Sequence, residues 1–196
     1  MKRSLLTTAC LVLAAAVAIT ICLGADSAGA QVPYVQPYFD ELHTVTVLNS
    51  CPTEPIGRLY IVAHNWGIFM SAIEYQILYP PQITFLGDFI DDANMLSIGQ
   101  SPSGIALAWK NVPGLAFKSL LLQEVSVFYT CTACDDQDIA VTVVKHPASD
   151  PTQPNYMVRA LDFWQNEFWG IGMTAVICPT VPVEQTTWGG IKSMYR

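Results

Sequence analysis

The sequence predicts an all-β protein, a two-sheet antiparallel β-sandwich, and three observations predict it. Short apolar or alternating segments recur along the chain, residues with turn chemistry separate them, and no segment has a 3.6-residue apolar period of helical length. Hydrophobic residues make up 52% of the chain and charged residues 13%, so a large core can form. Because a one-sided sheet must bury its apolar face, two such sheets are expected to pack together.

The chain begins with a segment that has the three parts of a secretory signal. A basic start, an uncharged apolar run and the small-residue site Ala28-Gly29-Ala30 follow one another. We therefore expect residues 1–30 to be a signal-peptide helix that is cleaved before Gln31. The alternative is an uncleaved transmembrane anchor, because the apolar run is about long enough to span a bilayer.

Cleavage leaves a chain suited to one domain, with a β-sandwich at residues 31–185 and a short C-terminal tail at 186–196. One of 16 acidic and two of 9 basic residues go with the signal, so the net charge changes from −7 to −8. No cluster of Lys and Arg is present, which argues against nucleic acid as a partner. We expect a secreted protein, periplasmic or extracellular and associated with the cell surface, that meets the membrane only through its signal peptide before cleavage.

An extended lead-in at residues 31–40 precedes ten predicted strands. The predicted strands are residues 43–48, 59–65, 71–79, 83–86, 95–98, 104–109, 120–130, 139–145, 156–162 and 168–177. Pro, Gly, Asn and Asp dominate the segments between them, because Pro fixes φ while Gly and Asn tolerate positive φ. Ile73, Tyr75 and Ile77 alternate with Glu74 and Gln76, which gives that strand one apolar and one mixed face. Two segments are ambiguous, since residues 115–122 are too short to distinguish helix from strand and the tail has weak helical spacing.

The chain without its signal keeps four cysteines: Cys51, Cys131, Cys134 and Cys178. An even number in an exported chain favours disulfides. A close-range bridge between Cys131 and Cys134 would leave Cys51 to pair with Cys178, and the crossed arrangements, Cys51 with Cys131 or Cys134, stay open. A structural zinc site is an alternative. A thiol-redox centre is disfavoured, because the acidic run after Cys134 would raise the thiol pKa.

The sequence carries no catalytic signature, so we expect no enzymatic activity. It has no nucleophile elbow, no His-Glu-x-x-His and no phosphate loop. Two acidic loops have the oxygen ligands that Ca²⁺ prefers, although solvated turns explain them as well. These loops contain Asp88, Asp91 and Asp92, and Asp135, Asp136 and Asp138. We expect no cofactor, with calcium or zinc as the alternatives.

Three tryptophans are candidates for a binding surface. Trp66 follows a predicted strand, and Trp164 and Trp169 flank a predicted hairpin turn. Core packing accounts for such residues in many proteins. At a sheet rim they would instead stack on sugar rings or anchor a protein partner.

Two stretches carry a resemblance to a known family. Residues 69–80, Phe-Met-Ser-Ala-Ile-Glu-Tyr-Gln-Ile-Leu-Tyr-Pro, and residues 83–87, Ile-Thr-Phe-Leu-Gly, resemble the early strands of bacterial cohesin-like sandwiches. Residues 104–108, Gly-Ile-Ala-Leu-Ala, resemble the next strand of that family. The resemblance covers roughly residues 59–130 and implies a cohesin-like or immunoglobulin-like fold with a non-catalytic, adhesive role. The whole chain is also similar to small secreted bacterial proteins with a Val-Pro-Val-Glu-x-Thr-Thr-Trp-Gly-like tail.

These observations predict a non-catalytic, secreted structural or adhesive protein at the bacterial cell surface. It would bind an unknown protein partner or associate with itself. A carbohydrate-binding module that uses exposed tryptophans to bind a glycan is the alternative. A metal-dependent hydrolase, which would need His, Asp or Cys side chains such as His64 and Asp88 to converge in one cleft, is a third hypothesis.

Overall fold

The computed structural model describes residues 32–110, 119–134 and 138–179. All the regular secondary structure within these ranges is β-strand, which confirms the predicted all-β class. The predicted signal-peptide helix, residues 115–118 of the ambiguous segment 115–122 and the C-terminal tail lie outside the described residues, while residues 119–122 belong to a strand. Within the described ranges, no helix is long and apolar enough to cross a membrane.

Twelve strands occur in the described residues. They are β1 (Tyr34–Tyr38), β2 (Val47–Leu48), β3 (Ile56–His64), β4 (Met70–Leu78), β5 (Ile83–Phe89), β6 (Met95–Gln100), β7 (Gly104–Trp109), β8 (Ser119–Tyr129), β9 (Ile139–Val144), β10 (Met157–Asp162), β11 (Glu167–Gly172) and β12 (Thr174–Ile177).

The strands form the two layers of the predicted sandwich. One layer has the order β6-β7-β4-β10, and the other has the order β11-β1-β3-β8-β5. Pairing of β10 with β11 joins the layers at one side. A small extension, β2-β12-β9, continues from the second half of β4. Most pairs are antiparallel, but β1 with β11 and β2 with β12 are parallel.

Alternate side chains of both layers point inward and form one core, as the period of a strand requires. Fully buried members of this core include Leu59, Ile61, Ile73, Tyr75, Ile77, Ile105, Leu107, Val125 and Val127. The apolar face predicted for Ile73, Tyr75 and Ile77 is therefore the core-facing side of β4. At about 25 cal/mol per Å² of apolar surface, burial on this scale is the main stabilising contribution to the fold.

The structure differs from the prediction at the two ends of the domain. The predicted lead-in contains strand β1, because its backbone pairs with β3 on one side and with β11 on the other. The strand predicted at 43–48 is reduced to β2, since the Asp40 carboxylate accepts the backbone N–H groups of Thr44 and Val45 and folds residues 40–45 into a turn. Side-chain capping of this kind competes with strand pairing.

The strand predicted at 168–177 is divided at Met173. Before this residue β11 pairs with β10, and after it β12 pairs with β9. The N–H of Met173 donates to Val35 O at 2.9 Å, and its carbonyl accepts the N–H of Val143 at 3.0 Å, so the chain passes from one sheet to the other here. Gly172 permits this passage, because a Cβ at that position would lie 2.1 Å from Val143 O.

Candidate functional site

The outer surface of the first layer is largely apolar, and we call it the apolar sheet face. Its residues lie on adjacent strands in two cross-strand rows. One row is Leu96, Ala108, Ala72 and Leu161, and the other is Ile98, Ala106, Glu74 and Arg159. On β11, Glu167 and Trp169 extend the two rows.

The apolar sheet face has a small depression at its centre, lined by Ala72, Ala106 and Leu161, and its most exposed side chains lie at one margin. Three alanines occupy central positions of β4 and β7, so the backbone lies close to the surface there. On the neighbouring strand β6, Leu96 is 58% exposed and Ile98 is 77% exposed. Large apolar side chains that are exposed on adjacent positions are typical of interaction sites rather than of ordinary surface.

The charged groups on the apolar sheet face are paired, with one guanidinium between two carboxylates. Arg159 Nη1 lies 3.1 Å from Glu74 Oε1, and Arg159 Nη2 lies 2.5 Å from Glu167 Oε1. The hydroxyl of Ser149 also donates to Glu74 Oε1. Burial alone would lower the pKa of Arg159, but its hydrogen bonds with Glu74 and Glu167 outweigh that effect and raise it. The guanidinium therefore stays charged and bridges the two carboxylates.

Strand β6 forms an edge of the sandwich, since in the described residues it pairs with β7 alone. Its alternation puts Met95 in the core and Leu96 and Ile98 on the apolar sheet face. The strand predicted at residues 95–98 is confirmed as part of β6, and no prediction was made for the side chains that face outward. The signal available was the contrast on β7 between large residues, Ile105 and Leu107, and the alanines that alternate with them.

A second group of exposed aromatic residues lies at the turn between β10 and β11. Trp164 is 67% exposed and contacts the rings of Phe69 and Phe163 at 6.3 Å and 5.9 Å between centroids. The ring planes meet at 79° and 87°, so these rings do not form one flat platform. The carboxylate of Asp162 holds the turn by accepting the backbone and side-chain N–H groups of Asn166, each at 2.8 Å.

The three candidate tryptophans do not share a surface. Trp66 is 2% exposed and donates its indole N–H to Tyr34 O at 3.2 Å, so it is a core residue and not part of a binding surface. Trp169 is half-buried on β11 beside Arg159, at the margin of the apolar sheet face. Trp164 projects from the turn. Each tryptophan's position in a strand or turn decides whether its side chain faces the core or the solvent, and residue type alone does not reveal this.

The carboxylates of Asp88 and Asp91 accept hydrogen bonds from N–H groups of nearby residues in turns and loops. Asp88 Oδ2 accepts the N–H of Ser101 at 2.8 Å, while its buried Oδ1 has no hydrogen-bond partner. Asp91 accepts the side-chain N–H of Asn94 at 2.7 Å, and Asp92 is exposed. These side chains form no converging metal-binding group in the part of the chain that is described, where the only such group consists of cysteines. Asp138 is exposed, and Asp135 and Asp136 lie outside the described residues.

His64 lies among tyrosines at the end of β3. Its Nε2 is 3.0 Å from the hydroxyl of Tyr38, and its ring stacks on Tyr34 with 4.7 Å between centroids. His64 and the acidic residues Asp88 and Asp91 do not form a common cluster in the described chain. The convergence that a metal-dependent hydrolase would need is therefore not found among these residues.

The cysteines converge at one end of the sandwich. Cys134 and Cys178 form a disulfide with 5.2 Å between their Cα atoms. This is one of the crossed arrangements, and it differs from the close-range bridge between Cys131 and Cys134 with Cys51 paired to Cys178. Cys51 Sγ lies 3.7 Å from Cys178 Sγ. Burial first, and then a hydrogen bond with Cys51, raise the pKa of the Cys131 thiol to about 11.

The crossed pairing has a topological cause that sequence spacing does not show. Parallel pairing with β2 places the end of β12 beside the segment that leads to Cys51, and the N–H of Cys178 donates to Leu48 O at 2.7 Å. Cys134 Sγ in turn lies 3.7 Å from Asn49 O. These contacts hold Cys178 beside both Cys134 and Cys51. The spacing of the Cys-x-x-Cys motif, which favours a bridge between Cys131 and Cys134, contains no information about them.

Comparison with known proteins identifies the fold and nothing beyond it. No protein family model matches the chain, and none of the curated proteins matches it. A type II cohesin domain from the cellulosome of Acetivibrio cellulolyticus is similar in structure, with a TM-score of 0.51, 10% identity, and coverage of 75% of this chain and 95% of that one. The fold is therefore a cohesin-like β-sandwich, as the sequence resemblance predicts.

Two further solved structures are similar at lower scores. The sixth cohesin from scaffoldin B of Acetivibrio cellulolyticus, in complex with a Cel5 dockerin mutant, has a TM-score of 0.47 and 6% identity over 76% of this chain and 97% of that one. BcpA, the major pilin subunit of Bacillus cereus, has a TM-score of 0.48 and 8% identity over 75% of this chain and 40% of that one.

Proposed function

We propose that the protein is a non-catalytic interaction module that binds a protein partner on the apolar sheet face. The observation that carries this proposal is the exposure of Leu96 and Ile98 beside an alanine-rich sheet surface with a small depression at its centre. A partner with a complementary apolar strip could approach closely, because alanine side chains keep the backbone of β4 and β7 near the surface. We also propose that the protein is secreted and acts at the bacterial cell surface, on the strength of its signal-like first 30 residues.

The charge arrangement supports a protein partner over a glycan. Glu74, Arg159 and Glu167 are already paired, so a partner would not have to desolvate an isolated charge. Stacking on sugar rings favours exposed and flat aromatic surfaces, whereas the rings around Trp164 are nearly perpendicular and Trp66 is buried. We therefore propose the apolar sheet face as the surface for the structural or adhesive role expected from the sequence.

The expected contribution of the exposed pair is large enough to measure. Complete burial of a Leu or Ile side chain stabilises an interface by about 1.5–3 kcal/mol, and the part already covered reduces this to about 1–2 kcal/mol for each residue. Losing one of them should weaken binding by roughly tenfold.

Binding by variants tests the proposal. Wild-type protein and Ile98→Asp would be immobilised and used to capture proteins from the outer-surface fraction of the source cells, and the captured protein would then be purified and titrated. Leu86→Asp is the matched control, because Leu86 is 53% exposed on β5 in the other layer. We expect wild type and the control to bind the purified partner alike and Ile98→Asp to bind at least tenfold more weakly. Equal binding by all three, or loss only with Leu86→Asp, contradicts the proposal.

Self-association is measured in the same experiment. Analytical ultracentrifugation of wild type, Ile98→Asp and Leu86→Asp would show whether a second copy occupies the apolar sheet face. A dimer that only Ile98→Asp dissociates supports self-association through this face. A dimer unaffected by Ile98→Asp places that contact elsewhere.

A further inference from the structure

Three chain segments meet beside the Cys134–Cys178 disulfide. The segment after β2 contains Cys51, the segment after β8 contains Cys131 and Cys134, and Cys178 follows β12 directly. Backbone hydrogen bonds fix their approach, since Tyr129 N donates to Pro55 O at 2.7 Å and Cys178 N donates to Leu48 O at 2.7 Å. The convergence of the cysteines is therefore a property of the sheet register.

The two cysteines outside the disulfide lie next to each other. Cys51 and Cys131 are free thiols, and both are half-buried. The Cys51 sulfur is 3.7 Å from that of Cys178, and the sulfurs of Cys51, Cys134 and Cys178 all lie within 4.8 Å of one another. Cys131 reaches the same place because the chain just before it is hydrogen-bonded to Pro55 O, and interaction with Cys51 contributes to the raised pKa of the Cys131 thiol. A pair of thiols in contact beside an existing bridge is the arrangement from which a second bridge forms without a large backbone movement.

We propose that Cys51 and Cys131 form a second disulfide, so that all four cysteines make one double-bridged cluster. In this step the two thiols lose two protons and two electrons, and one S–S bond forms. An oxidised small-molecule disulfide, such as glutathione disulfide, accepts the two electrons and both protons and becomes two thiols. The first disulfide takes no part in the reaction.

The alternative pairings each require the existing bond to break. Joining Cys51 to Cys178 would release Cys134 to pair with Cys131, and joining Cys51 to Cys134 would release Cys178 to pair with Cys131. At 3.7 Å the sulfur of Cys51 is near enough to attack Cys178, so exchange is the direct competitor of the proposed bridge. The two outcomes differ in connectivity, which can be measured.

Peptide mapping of the full-length chain tests the connectivity. The protein would be reduced, refolded in a glutathione and glutathione disulfide buffer, alkylated and digested without reduction. Fragmentation of the backbone between Thr132 and Ala133 distinguishes a bond to Cys131 from a bond to Cys134. These two cysteines lie in a different peptide from Cys10 and Cys22. We expect one linkage between Cys51 and Cys131, another between Cys134 and Cys178, and loss of alkylation at all four.

Three results would overturn the proposal. Alkylation of Cys51 and Cys131 in the refolded protein would show two stable free thiols. Either alternative connectivity, Cys51–Cys178 with Cys131–Cys134 or Cys51–Cys134 with Cys131–Cys178, would show that exchange prevails. Binding of one zinc ion in native mass spectrometry, with all four thiols alkylated once a chelator is added, would show a metal site instead.

A double variant keeps the test independent of the first bridge. Cys134→Ser with Cys178→Ser leaves only Cys51 and Cys131 at this end of the sandwich, and we expect it to lose alkylation at both on oxidation. Cys131→Ser with Cys178→Ser is the matched control, because it leaves Cys51 with Cys134. Faster or more complete oxidation of the control than of the first variant would contradict the proposed pairing.

Discussion

Arg159 Nη1 lies 3.1 Å from Glu74 Oε1 across the pairing of β10 with β4, at the centre of the apolar sheet face. The two side chains are 28% and 22% exposed, so each is shielded from water by its neighbours and by the other. A charge in this position is tolerated because it is paired.

Glu74→Gln removes the partner charge and should destabilise the fold. We expect the free energy of unfolding to fall by about 1–2 kcal/mol, since Arg159 would be left partly buried with Glu167 as its remaining ionic partner. Urea denaturation measures this change. Glu124→Gln is the control, because its partner Arg58 is 57% exposed and such a pair contributes under about 1 kcal/mol. Equal losses in the two variants would mean that position on the sheet does not matter.

Trp66 and Trp164 should differ sharply in their contribution to stability. Trp66→Phe leaves a space in the core beside Gly170 and removes the hydrogen bond to Tyr34 O, so we expect a loss of about 2 kcal/mol in the free energy of unfolding. Trp164→Phe changes an exposed side chain and should shift the free energy of unfolding by under about 0.5 kcal/mol. Thermal and urea unfolding check both values, and a larger effect for Trp164 would contradict the assignment of Trp66 to the core.

Tyr129 should make the fold sensitive to alkaline pH. Burial raises its pKa from 10.0 to about 12, so between these values the folded chain keeps a proton that the unfolded chain releases. Its contribution to the free energy of unfolding is complete below pH 10 and is lost as the pH rises toward 12. Over that interval the loss amounts to about 2–3 kcal/mol.

Tyr129→Phe should reduce this alkaline loss, because the variant has no hydroxyl to ionise. The measurement is urea denaturation at a series of pH values. Tyr156→Phe is the control, since Tyr156 is 55% exposed. If Tyr129→Phe and wild type lose stability in parallel above pH 10, other groups cause the alkaline sensitivity.

Gly172→Ala should disturb the passage of the chain between the two sheets. A Cβ at this position would lie 2.1 Å from the carbonyl oxygen of Val143, so the strands must separate, and we expect a loss of about 2–4 kcal/mol in the free energy of unfolding. Gly87→Ala is the matched control, because a Cβ there has no heavy atom within 4 Å and should change stability by under about 1 kcal/mol. A neutral Gly172→Ala would show that this close approach can relax.

The strand pattern was predictable from sequence, whereas the division of one strand was not. Alternation of Ile73, Tyr75 and Ile77 with polar residues is a local property, and it gave the correct core face of β4. The break at Met173 depends on two residues that are distant in sequence. Val35 O accepts the N–H of Met173, and the N–H of Val143 donates to the carbonyl of Met173. Local periodicity contains no information about such partners.

The candidate site followed from strand order more than from residue type. Trp66 and Trp164 have the same chemistry, yet one fills the core and the other is exposed. Ile98 and Glu74 lie in one row only because β7 is between their strands. Predicting such a row requires the pairing of strands, and no local motif in the sequence specifies it.

The disulfide between Cys134 and Cys178 also determines how the protein would respond to a mechanical load. Tension applied to the chain after Cys178 would pass through the covalent bond to Cys134, so β9, β10, β11 and β12 would be bypassed. The enclosed segment spans 44 residues and would otherwise lengthen by about 150 Å when pulled straight. These four strands can thus be extended only after the disulfide has been reduced. While it is intact, the fully stretched protein is shorter by about 150 Å.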